Sequence, residues 1–144
     1  MEIAEIITGK EYPEKVIPMI ENCKKSIDIV VFDWRWYPDQ IGSSIQRFNN
    51  AIVKKGNTGK QIRAITNTKE ISNVLIQGNI KAKIWKSKRL LHTKLMMIDD
   101  EIAIIGSHNY TLNAFTINQE VSLIIKQKQV LEKLKLYFEN LWQL

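Results

Sequence analysis

Apolar positions along this chain follow two rhythms in alternation, and their order predicts an α/β sandwich. Short aliphatic and β-branched runs at 3–7, 26–32, 61–66, 81–85, 95–98, 102–105 and 120–125 read as strands. Helices are predicted at 14–22, behind Pro13, and at 40–55, where Ile41, Ile45, Phe48 and Ile52 share one face. Two more are predicted at 69–77 and 128–142, the last turning Leu131, Leu134, Phe138 and Leu141 inward. Gly56-Asn57-Thr58-Gly59 reads as a turn. The runs 95–98 and 102–105, parted by Asp99-Asp100-Glu101, predict a β-hairpin. No repeat or long linker divides the chain, so residues 1–144 are expected to form a single domain.

The hairpin gathers chemistry at one end. Side chains two apart on an extended chain share a face, so His92 and Lys94 project together while Asp99, of opposite parity, turns away. Folding about Asp100 brings His92 and Lys94 beside Gly106-Ser107-His108-Asn109, where Ser107 and Asn109 again share a face. Four polar side chains therefore converge on a hairpin otherwise made of Leu, Met and Ile. Met96 and Met97 read as core, Asp100 and Glu101 as turn residues, and His108 as structural or solvent-exposed.

These residue types suit a phosphodiester. Lys94 supplies a point charge, and Ser107 and Asn109 supply neutral donors, for oxygens that gain charge in the transition state. His92 can attack phosphorus or hand a proton to a leaving oxygen. Nothing offers the carboxylate cluster a magnesium-dependent nuclease needs, so no metal or other cofactor is expected.

Composition narrows the setting. Cys23 is the one cysteine, so intrachain disulfides and a Cys-based zinc site are excluded, and its helical apolar surroundings predict a buried structural thiol. A net charge of +6 fits a polyanionic partner without requiring one. Acidic residues near the start and the lack of a long apolar run predict a cytoplasmic protein without leader or membrane anchor.

The arrangement His92-x-Lys94-x4-Asp99 followed by Gly106-Ser107-x-Asn109 resembles the signature of the phospholipase D superfamily, at its customary gap. The resemblance runs from the strand at 26–32 to the closing helix and implies a mixed β-sheet flanked by helices on both faces. It implies a metal-independent phosphodiesterase in which His92 forms a covalent phosphohistidine. Lys94 and Asn109 would clamp the phosphate with help from Ser107, and Asp99 would be a structural anchor. Glu120, shortly after the motif, would hold the other ring nitrogen of His92. In-line displacement needs a nucleophile and an opposed proton donor, and this chain carries one motif. A homodimer with its active site on the two-fold axis is therefore expected.

Two segments bear on substrate. Lys81, Lys83, Lys86, Lys88 and Arg89, interleaved with Trp85, lead into His92 and suit a nucleic-acid backbone, or else form a solvated loop. Trp34-Arg35-Trp36-Tyr37 follows a central strand, where Trp34 is a candidate for base stacking or for packing at a dimer interface. Taken together, these features predict an endonuclease acting on DNA or RNA. The alternatives are a phospholipase D-type lipid phosphodiesterase and a nucleic-acid-binding module with weak catalysis.

Overall fold

The computed structural model describes residues 4–144. Seven strands form a single mixed sheet in the order β1-β7-β6-β5-β2-β3-β4. β2 (Ser26–Val31), β3 (Gln61–Thr66) and β4 (Lys81–Ile84) run parallel. β5 (Lys94–Ile98), β6 (Ile102–Gly106), β7 (Val121–Ile125) and β1 (Ala4–Thr8) extend the sheet from β2 by antiparallel pairing. The parallel strands are joined through α2 (Ser44–Asn57) and α3 (Lys69–Gln77), the crossovers that parallel pairing demands.

Strand parity sorts two cores. Ile27, Ile29 and Val31 of β2, with Met96 and Ile98 of β5, face a large cluster with Val16, Phe48, Leu75 and Phe115. These last belong to α1 (Glu11–Glu21), α2, α3 and α4 (Leu112–Thr116), so four helices cover one face. Val30, Ile65, Leu95 and Met97 face the other way, where Leu131 and Phe138 of α5 (Lys128–Trp142) pack on them. Helices flank both faces, as the resemblance implied. The fully buried Phe48 and Phe138 are each the kind of side chain whose truncation costs about 3–5 kcal/mol.

Charge also fastens α5. Asp28, on β2 and only 2% exposed, accepts from Arg63 Nε at 2.9 Å and from Lys135 Nζ at 2.7 Å. Arg63 pairs in turn with Glu139 of α5, and its guanidinium lies 4.9 Å from the Phe138 ring centre. A buried carboxylate is tolerable here because two cations satisfy it.

Element boundaries differ from the sequence reading at a few places. The first predicted strand covers 3–7, of which Ile3 lies outside the described residues; β1 is Ala4–Thr8. α1 begins at Glu11, ahead of Pro13, because Glu11 Oε1 accepts the Thr8 N–H at 2.8 Å and so fixes the turn. Pro13 then falls in the first turn, where its missing N–H costs nothing. α2 starts only at Ser44, since Ser43 Oγ caps it by accepting from Gln46 N at 3.3 Å. Ile41 consequently lies before the helix and is 70% exposed instead of on its buried face. α2 also runs on through Asn57, into the segment read as a turn. α4, capped by Thr111, was not legible in the apolar pattern because it is five residues long.

Candidate active site

The carboxyl ends of the parallel strands and the start of β5 meet at one rim of the sheet, since Val31 pairs with Lys94 and Thr66 with Ile84. His92 is exposed on the segment entering β5, its ring centre 4.7 Å from that of Phe32. Lys94 Nζ lies 3.0 Å from His92 Nδ1 and 3.2 Å from Nε2, so the ammonium sits against the imidazole. Partial burial lowers the Lys94 pKa, opposed by attraction to the Glu120 carboxylate.

Gly106 makes the neighbouring half possible. A Cβ there would collide with the Ser122 backbone and the Val121 carbonyl, so only glycine lets β6 lie this close to β7. The close approach allows Ser107 N–H to donate to Val121 O at 3.0 Å, and Ser107 Oγ to donate to Glu120 Oε1 at 2.6 Å. Asn118 Nδ2 donates to the other Glu120 oxygen at 3.1 Å. Asn109 Oδ1 accepts the Asp33 N–H at 3.1 Å, which fixes the amide plane and leaves Nδ2 as its remaining donor.

Between these residues His108 points inward and is 1% exposed. Its Nε2 donates to the Gly9 carbonyl at 2.8 Å, which assigns Nδ1 as acceptor from Ser122 Oγ at 2.7 Å. Burial lowers its pKa against the opposing pull of Gly9 and Glu120, holding it neutral. It is structural, one of the two roles its position allowed.

Asp99 lies in the turn at the far end of the hairpin from Lys94, past the end of β5, so distance along the strand, not alternation of faces, separates it from the rim. Its Oδ1 accepts from the backbone N–H groups of Lys25 at 2.7 Å and Ser26 at 3.1 Å, and its Oδ2 from Lys24 at 3.0 Å. The Cys23 thiol contributes at 3.4 Å. Burial opposes the charge, but these donors outweigh it and hold the Asp99 pKa below the usual carboxylate range. Cys23 is buried, its pKa pushed up to about 11 by desolvation and by Asp99.

A positively charged side chain, a histidine and two amide or hydroxyl donors at one sheet rim, spaced as H-x-K and G-S-x-N, meet a matching family model. The model of the cardiolipin synthase, phospholipase D-like domain covers residues 16–142. The chain belongs to the phospholipase D superfamily. A cardiolipin synthase 1 from Staphylococcus epidermidis is 41% identical over 133 residues, which cover 85% of this chain and 25% of that protein. A Staphylococcus aureus cardiolipin synthase is 46% identical over 48 residues, covering 33% of this chain and 10% of its own. The chain thus spans a quarter or less of these curated relatives. Among solved structures, NucT from Helicobacter pylori superposes with a TM-score of 0.77 at 19% identity, covering 97% of this chain and 95% of that one. Nuc from Salmonella typhimurium, a phospholipase D family member, gives 0.78 at 18% identity with the same coverage. Both share the phospholipase D-like fold.

Within this phospholipase D-like domain, two expectations need correction. Within one chain Glu120 does not bond to His92, because β6 stands between their strands and Ser107 and Asn118 occupy its carboxylate. Its influence on the site passes through Ser107 and through its attraction for Lys94. Trp34 is 4% exposed, donates from Nε1 to Asn49 Oδ1 at 2.8 Å and packs edge-on against Tyr110. It is core and has no face free for a base. Lys86, Lys88 and Arg89 are exposed on an irregular segment, where Trp85 Nε1 donates to Arg89 O at 2.7 Å.

Phe32 and Asp33 belong to the site and were not singled out from the sequence. Phe32 backs both His92 and Lys94, and Asp33 holds Asn109, yet Phe32 read only as the end of a strand and Asp33 as the residue after it. Among the described residues, no three His, Cys, Asp or Glu side chains gather to hold a metal ion. No helix among them is long and apolar enough to cross a membrane.

Proposed function

We propose that the chain is an endonuclease cleaving DNA or RNA phosphodiesters without a metal ion, at a site completed by a second copy of itself. The observation that carries this reading is the rim where His92 and Lys94 meet the Ser107–Glu120 and Asn109–Asp33 pairs. His92 attacks phosphorus, forming the P–N bond as the P–O bond to the leaving oxygen breaks, and the partner subunit's His92 gives that oxygen its proton. Water, deprotonated by the partner subunit's His92, then cleaves the P–N bond and restores the enzyme. Lys94, Asn109 and Ser107 donate to the nonbridging oxygens as charge builds.

The second copy is supported by an apolar strip. α5 covers the middle of its face and leaves β7 and β1 bare, so Val121, Leu123 and Ile6 are 51%, 37% and 66% exposed. Leu123 and Ile6 are cross-strand partners, and Glu120 stands at the end of the strip. A partner seated there would bring the two His92 rims toward each other and cover the apolar surface.

Cleavage of labelled single- and double-stranded DNA and RNA in excess EDTA, beside a His92→Ala control, tests the reading. Cleavage by the parent alone is the expected result. A parent that cleaves no nucleic acid sinks it. The second reading, transfer or hydrolysis at a lipid phosphodiester, draws on the cardiolipin synthase relatives and predicts activity on anionic phospholipid vesicles instead.

A further inference from the structure

We propose that the groove at the open β4 edge of the sheet is a track for single-stranded nucleic acid running into the His92 site, an inference that rests on the nuclease reading. β4 ends the strand order, so its outer edge pairs with nothing among the described residues. Beside it α3, β4 and the last turn of α5 enclose about 580 Å³, within the ~300–1,000 Å³ of cavities that hold small organic groups. Ile76, Trp85 and Leu141 wall this groove, and Lys69, Lys83 and Lys86 supply its charge.

Three features select the occupant. Every charged side chain lining the groove is a lysine, and among the described residues none of Lys69, Lys83, Lys86, Lys88 or Arg89 makes an ion pair. Four cations elsewhere on the fold, Lys15, Arg35, Arg63 and Lys135, do pair with acids. Lys83 Nζ already donates to Trp142 O at 2.7 Å and lies 4.4 Å from the Trp142 ring centre, so Lys69 on α3 and Lys86 just past β4 are the cations left for a chain of phosphates, which carries charge at regular intervals. Other cavities either mix acids with bases, as at Asp33, Arg35 and Glu70, or lie at the amino ends of the strands, as at Lys60 and Lys81.

The walls are apolar and include an aromatic ring, which unstacked bases can cover and paired bases of a duplex cannot. Trp85 N–H donates to Thr66 O at 2.7 Å, and the next residue, Asn67, bonds the carbonyl of Phe32, against which His92 packs. The Trp85 end of the groove and the His92 site therefore lie along the same rim of the sheet, with β3 and β2 between them. A fatty acyl chain would use the apolar walls but has no need of two lysines free of acids.

The test uses full-length His92→Ala protein, so that substrate survives, and adds Lys69→Glu with Lys86→Glu. Both residues are exposed, and a glutamate in the first turn of α3 suits the helix dipole, so the fold should hold, as circular dichroism can verify. Binding of a fluorescein-labelled single-stranded DNA oligonucleotide is followed by anisotropy across a salt series. The track predicts affinity weaker by about tenfold or more, and a salt slope shallower by roughly 1.4 for two lost phosphate contacts. It also predicts weaker binding of the matching duplex to the parent. Unchanged oligonucleotide affinity, while the His92 enzyme still cleaves DNA, overturns the track and leaves the nuclease reading standing. Loss of phosphatidylglycerol vesicle binding in the variant, with no nucleic acid cleaved by the His92 enzyme, overturns both and assigns the groove to lipid.

Discussion

At the scale of single residues, Lys94 and Asp99 show how one short motif divides between chemistry and scaffolding. Lys94 stands against His92, its ammonium 3.0 Å from the ring, and on the proposed mechanism supplies the positive charge that meets the phosphate. Lys94→Met keeps the aliphatic stem and removes the charge. On the proposed mechanism kcat should fall about 10²–10³-fold, as for loss of a transition-state donor, with a melting temperature close to the parent's. Asp99 instead ties the start of β2 to the hairpin. Asp99→Asn keeps the shape but gives up half of the acceptor capacity, and should cost about 1–3 kcal/mol in denaturant titrations with little change in kcat. Because folding depresses the Asp99 pKa, its contribution is present above its ordinary value of about 4 and vanishes as pH falls through the folded value. The Asn variant should therefore lose less stability than the parent on acidification below about pH 4.

At the scale of elements, α5 is held by both hydrophobic burial and a buried charge network. Asp28 is where sheet and helix join, because Arg63 and Lys135 both turn to it. Asp28→Ala strands two partly buried cations and should destabilise the fold by about 3–5 kcal/mol, read from urea melts. A paired Asp28→Ala, Arg63→Met variant should recover part of that loss, since the cation left without its partner is then removed. The hairpin carries a different constraint. Asp99 and Asp100 both adopt φ near +56°, closed by the Glu101 N–H on Ile98 O at 3.0 Å. Aspartate tolerates this left-handed region better than most residues, which explains an acidic turn without any catalytic role.

At the scale of the whole molecule, the sheet is covered unevenly. Four helices close one face, while on the other α5 stops short of β7 and β1. Leu123→Asp places a charge in the strip proposed to meet a second copy, at a position the monomer already leaves partly open. It should give a monomer by light scattering, with a fold intact by circular dichroism and nuclease activity lost. A dimer that persists with full activity in this variant removes the strip from consideration as the interface.

The sequence by itself determined the periodicities and the spacings. The spacing put His92 and Lys94 at one end of the hairpin strand and Asp99 at the other, although Asp99, at positive φ beyond the strand, escapes the two-residue repeat. The run 69–77, the run 128–142 and the hairpin strands were legible for the same reason: each is long or regular enough for its apolar pattern to specify one element. The lone glycine of the motif was readable as a motif member, but its need became visible only where Ser122 lies against it. What tertiary structure alone decided are contacts between residues far apart in the chain. Trp34 sits in a sequence that suits base stacking, yet Asn49 and Tyr110 draw it into the core. Glu120 is near His92 in order but reaches Ser107 first, since β6 lies between. Phe32 and Asp33 entered the site through partners more than fifty residues away, and the β4 groove exists only because α3 and the end of α5 pack beside one edge strand. Local pattern carries the free energy of forming elements, whereas such partnerships depend on how the elements are packed, and that is written in no single stretch of chain.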